Sequence, residues 1–141
     1  MYTFHQTGNT YALSIDNHCD LTEAILTFIA DQHITAGEIS GIGAVSEATL
    51  RFFNPQTKLF EDRTFTQQME IANLIGNISV MDGKPYLHLH ITLGTADFQT
   101  ISGHLLTARI NGACELFVHK YDTTLLRVHE ESTGLNMYKF E

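Results

Sequence analysis

Positive charge is scarce in this chain. Eight Lys and Arg stand against sixteen Asp and Glu, a formal net charge of −8. A protein that grips nucleic-acid phosphates needs a basic surface that displaces counterions. Here the basic residues are scattered singly and form no cluster, so direct nucleic-acid binding is disfavoured. Cysteine is equally sparse. Cys19 and Cys114 are the only two, and neither belongs to a CxxC pair. That argues for reduced thiols and removes the disulfide-framework, redox and zinc-finger readings. No apolar run approaches the ~18–20 residues of a membrane helix. The opening "MYTFHQTGNTYALSI" lacks a basic stretch followed by an apolar one, so no secretory signal is expected and the cytoplasm is the expected location. Catalytic signatures are missing too: no GxSxG, no P-loop and no HExxH. Gly41-Ile42-Gly43 is too short and wrongly flanked for a dinucleotide fingerprint.

What remains is enough for a folded domain. The hydrophobic fraction is 43%, which argues against disorder, and 141 residues suit a single domain over residues 1–141 with a core that needs no metal or disulfide. Tyr11, Leu13 and Ile15 alternate in "NTYALSI" and predict a strand. The next segment predicts a helix. Asp20 and Glu23 have capping-box spacing, Leu21, Ala24, Ile25, Phe28 and Ile29 share one face, and Gly37 marks the exit. "EISGIGAVSEATLRFF" fits one bent strand or two short ones, because Gly41 and Gly43 interrupt it. "KLFEDRTF" predicts a short exposed strand, and "QQMEIANLIGNISV" a longer one, with a helical turn as the alternative for "MEIANLI". Asp82-Gly83 predicts a hairpin into "KPYLHLHITLG". Asn111-Gly112 predicts a second turn, before a strand from Cys114 to Tyr121, and Thr133-Gly134 a third. One helix and about six or seven strands argue for an α+β fold with a mainly antiparallel sheet.

The histidines of "KPYLHLHITLG" need an explanation that burial does not supply. Strand side chains alternate, so Leu87, Leu89, Ile91 and Leu93 take one face and Tyr86, His88, His90 and Thr92 the other. The apolar face is complete without the imidazoles. Same-face neighbours lie about 7 Å apart, compatible with convergence on one metal at about 2.0–2.1 Å. An HxH pair alone also fits a polar strand face. "SGHLL" strengthens the metal reading by placing His104 fourteen positions after His90, far enough for a strand end, a loop and a return. Three neutral imidazoles are a zinc shell, with a fourth position open to water or a small-molecule ligand. Glu70 or Glu115 is available as a general base beside such a water, against the plainer reading of each as a solvated strand residue. His5, His18, His33, His119 and His129 read as surface or structural residues.

"ITAGEISGIGAVSEATLRFF", "MEIANLIGNIS", "KPYLHLHITLG" and "SGHLL…CELFV" occur in that order. Together they resemble the PPC (plants and prokaryotes conserved) domain, from about Tyr11 to the last strand. The resemblance implies an antiparallel sheet flanked by helices and a homotrimer. It also implies that His88, His90 and His104 match the family's histidine cluster, which in some prokaryotic members looks like a metal site near a subunit interface. Glu70 and Asn77 match a further family segment. The family commonly has two glycines before the last histidine; here the first is Ser102. Prokaryotic members are often called DNA-binding, but in the plant proteins DNA contact resembles the work of an AT-hook, and this chain has none. Two functions follow. One is a homotrimeric metal-binding protein with a small-molecule or hydrolytic activity. The other is an interaction and assembly module whose histidines line a structural or vestigial site. The sequence assigns no catalytic residue.

Overall fold

The computed structural model describes residues 1–140. Eight strands and one helix follow in the order β1 (Tyr2–Thr7), β2 (Thr10–Ile15), α1 (Leu21–Asp31), β3 (Gly37–Asn54), β4 (Leu59–Met81), β5 (Lys84–Gly94), β6 (Thr100–Lys120), β7 (Leu126–Glu130) and β8 (Leu135–Lys139). All eight strands join one sheet. The expected helix forms as its pattern predicts. The Asp20 carboxylate accepts the Glu23 N–H at 2.8 Å, and Leu21, Ala24, Ile25, Phe28 and Ile29 are all buried. Phe28 meets Tyr2, Phe4 and Tyr11 with ring centroids 5.3–5.5 Å apart, a distance at which aromatic pairs attract.

Four strands close on themselves. β3 pairs antiparallel with both β4 and β6, and β5 pairs antiparallel with both β4 and β6. The ring β3–β4–β5–β6 leaves β5 no free edge over His90–Gly94. Its inward face, Leu89, Ile91 and Leu93, is at most 1% exposed, as the alternation predicts, and α1 packs against β5 and β6 over this core. β1 and β2 extend the sheet beyond β6, and the β7–β8 hairpin beyond β4.

Several expectations are corrected. The sheet is not flanked by helices: α1 is the one helix among the described residues, the fold is mainly β, and a parallel bridge, Val80 to Leu126, makes the sheet mixed. Asn111-Gly112 is no hairpin turn. β6 runs straight through it, because both flanks pair with the same neighbour, β3, and the irregularity is absorbed as a register shift between Gly43 and Val45. Gly112, at φ +127°, takes a conformation open chiefly to glycine. "KLFEDRTF" and "QQMEIANLIGNISV" form one strand of 23 residues, whereas "EISGIGAVSEATLRFF" takes the first of its two expected forms, one strand with shifts at Gly41/Gly43 and Val45/Glu47. A strand at the edge, β1, was not expected from the sequence. The thiols of Cys19 and Cys114 are free, and burial pushes the Cys114 thiol up to about 12, which keeps it protonated and unreactive.

Gly76 is where β4 and β5 approach most tightly beside the histidines. A Cβ there would strike the His88 carbonyl oxygen and lie 2.7 Å from Leu89 Cδ2. Gly76→Ala is therefore expected to destabilise the fold by about 1–3 kcal/mol, the range for overpacking. A denaturant titration checks this; an unchanged midpoint would show that the strands do not sit this close.

Candidate metal centre

His88 and His90 project from the outer face of β5, and His104 meets them from β6, where it is the direct cross-strand partner of His90. This is the return that the fourteen-residue spacing predicts. The ring centroids lie 5.1–5.5 Å apart in all three pairings. Each imidazole offers a nitrogen, and these nitrogens all lie within 4.8 Å of one another. Tetrahedral ligands at 2.0–2.1 Å from zinc would stand about 3.4 Å apart, a gap that small ring rotations close. His88 and His104 are half-buried and His90 is exposed, so the cluster is anchored in the sheet yet reachable from solvent. The geometry and the donor set fit a divalent metal.

The electrostatics favour the ligand form. Burial is the main cause that pushes His104 down to about 4, with His88, His90 and Arg51 acting in the same direction and Asp62 opposing them. His88 is also lowered, by burial first and then by the charges of Arg127 and His90. Metals bind the neutral imidazole.

Two arginines flank the histidines. Arg51, the β3 partner of His104, donates from Nε and Nη2 to the Asp62 carboxylate at 2.7 and 2.8 Å. Arg127 comes from β7. It donates to Ser79 Oγ (2.9 Å), Asn77 Oδ1 (2.9 Å) and the Asn136 carbonyl (2.7 Å), and lies over the rings of Tyr138 and Tyr86 at 4.2 and 5.1 Å. Asn77 is the cross-strand partner of His88, so Arg127 fixes the side chain beside the first histidine. Asn136 Nδ2 adds a bond to the Tyr86 hydroxyl at 3.2 Å. A groove of about 550 Å³ reaches Asn77, and Ser40, Ile75, Phe117 and Tyr138 also line it.

The structure leaves the other candidates apart. Glu70 pairs with Gly94, four positions along β5 from His90, and Glu115 pairs with Ile42; neither carboxylate joins the histidine cluster. His119 hydrogen-bonds Thr10 Oγ1 at 2.9 Å, and His129 hydrogen-bonds Asn136 Oδ1 at 3.0 Å, the structural roles expected of them. Ser102 stands opposite Thr92 with its hydroxyl 3.4 Å from the threonine oxygen, so the side chain fits without disturbing His104. Arg51, Asp62, Arg127 and Ser79 were not anticipated. The one signal was a lone arginine inside the apolar segment "TTLLRVHEE".

The family model for the Plants and Prokaryotes Conserved (PCC, or PPC) domain matches residues 2–122. The chain belongs to this family. Three solved structures are similar over nearly its whole length. A candidate DNA-binding protein of Bacteroides thetaiotaomicron is 48% identical, with TM-score 0.97 over 99% of this chain and 98% of that one. A candidate DNA-binding protein of Ralstonia eutropha is 29% identical, with TM-score 0.90 over 98% and 96%. A metal-containing protein of Archaeoglobus fulgidus is 33% identical, with TM-score 0.89 over 99% of both chains. No curated protein matches this PPC chain.

The lowered His104 fixes a pH dependence. An unfolded chain takes up this proton near the ordinary value of 6.5, the folded one only near 4. Between those values the unfolded state binds more protons, so stability is full above the window and falls as pH drops through it. For metal-free protein, the denaturation midpoint is expected to fall between about pH 7 and about pH 4.5. The fall should be shallower in His104→Gln; identical profiles would contradict the assignment.

Proposed function

We propose that this PPC protein is a homotrimeric metal-binding protein of the cytoplasm, and that His88, His90 and His104 hold a divalent metal, most simply zinc. The observation that carries this is the convergence of three imidazoles on one face, each offering a nitrogen within 4.8 Å of the others. Imidazole suits zinc, and three protein ligands leave a fourth position for water or a small ligand. The metal-containing relative from Archaeoglobus fulgidus supports the same reading. When bound, such a metal would make a neutral-pH hydroxide available or polarise a ligand oxygen. The residues of this chain would orient it: Asn77, held by Arg127, stands beside His88.

Assembly is supported by the surface next to the site. His90 pairs with Ile75, Ile75 with Ser40, and Ser40 with Phe117, one row across the outer face of the sheet. Ile75 is 55% exposed, Phe117 60%, and Ile42, two positions from Ser40, 57%. An apolar patch of this kind marks an interaction surface, and a second copy covering it would bring its own residues to the rim of the metal centre. Direct DNA contact is not favoured, although two relatives are called candidate DNA-binding proteins. Of only eight Lys and Arg, Arg127 is buried and Arg51 is tied to Asp62, which leaves little to displace counterions. The alternative, an assembly module with a structural metal, rests on the same surface and differs in what metal removal does.

Metal analysis and mass measurement on untagged protein test both parts. Near-stoichiometric metal is expected in the wild type and in His119→Ala, and loss in His88→Ala. Equal occupancy in the two variants would sink the site. The mass should be three times the 15.8 kDa of the chain; a monomer would refute the trimer. A trimer that survives a chelator supports the open site, and one that dissociates supports the structural metal.

A further inference from the structure

We propose that the three-histidine centre takes a small oxyanion, a carboxylate or a phosphate, and that Arg127, acting with Asn77, selects it. The inference rests on the metal reading above and names the ligand class for that site.

Arg127 is only 8% exposed, yet no carboxylate among the described residues pairs with it. Its acceptors are a hydroxyl, an amide oxygen and a backbone carbonyl, all uncharged. The contrast with Arg51, held by both oxygens of Asp62, is direct. Burying a cation without a counter-charge is costly. The faces of Tyr86 and Tyr138 and the three neutral acceptors offset part of that. As a mere tie for the β7–β8 hairpin, a neutral amide would do the same work without the charge.

A guanidinium has five N–H groups. Three are engaged here, which leaves one each on Nη1 and Nη2, and Nη2 is the nitrogen bonded to Asn77. Because the Asn77 oxygen accepts from Arg127, its amide N–H₂ remains a donor beside His88. The metal ligands are three imidazoles with no carboxylate among them, so a bound dication keeps its full double charge. Dication, guanidinium and amide together favour an anion that bonds the metal through one oxygen and accepts hydrogen bonds through another. Such charge-assisted bonds are roughly twice as strong as neutral ones.

The test uses the full-length protein loaded with cobalt(II), whose visible absorption reports ligand exchange at the metal. Acetate, inorganic phosphate and neutral imidazole are titrated separately. At least one anion should bind, and acetate against phosphate distinguishes the two sources. In Arg127→Gln the affinity for that anion should drop at least tenfold while imidazole binding holds. Asn77→Asp supplies a second variant that keeps an acceptor for Arg127 but neutralises its charge, and the same selective drop is expected. If neither anion perturbs the spectrum, or both variants bind it as the wild type does, or imidazole weakens equally, the inference falls and the metal site stands. If cobalt does not bind at all, both fall.

Discussion

β5 is held between β4 and β6, and its register cannot slip by one residue without turning Leu89, Ile91 and Leu93 out of the core. That constraint places the imidazoles. The same period of two that buries the three aliphatic side chains sends His88 and His90 outward, and the pairing of His90 with His104 brings in the third ring. Gly76 permits the tight approach of β4 at this level. The site is thus a by-product of core packing, built on paired strands rather than on a loop, which favours a fixed ligand geometry.

Charge is distributed with the same economy. The chain carries −8 overall, yet the neighbourhood of the histidines holds two of its few arginines. Arg51 is paired with Asp62 and stands opposite His104 on β3, while Arg127 has no carboxylate partner among the described residues and is pinned by Ser79 and Asn77 and covered by two tyrosines. Removal of the Asn77 or Ser79 acceptor would leave a buried donor unsatisfied. The C-terminal hairpin therefore does more than extend the sheet: it supplies the guanidinium that orients the residue opposite His88.

Local signals made much of this legible. The capping box and face of α1, the Asp82-Gly83 hairpin and the split of "YLHLHITLG" into core and site faces each depend on residues close in sequence, where periodicity and turn chemistry speak directly. What the sequence hid depends on pairing over distance. Asn111-Gly112 has the composition of a turn, but β3 pairs with both of its flanks and keeps the strand extended; tertiary pairing overrides local preference. The 23-residue β4 looked like two elements because its first half is exposed and polar and its second half partly buried. The partners of Arg127 become apparent only with β7 beside β4. The histidine triad was found because two of its members sit two residues apart; Asn77 entered only through the family resemblance, and the sequence marks Arg127 by no more than its place as a lone arginine in an apolar segment.

The proposed metal is shared by three imidazoles from two paired strands. Anomalous diffraction from crystals of untagged protein, collected on both sides of the zinc absorption edge, tests it most directly. A single strong anomalous peak per chain is expected, bonded to nitrogens of His88, His90 and His104, with an additional ligand opposite the sheet. A peak held by other residues, or no peak from protein supplied with zinc, would contradict it.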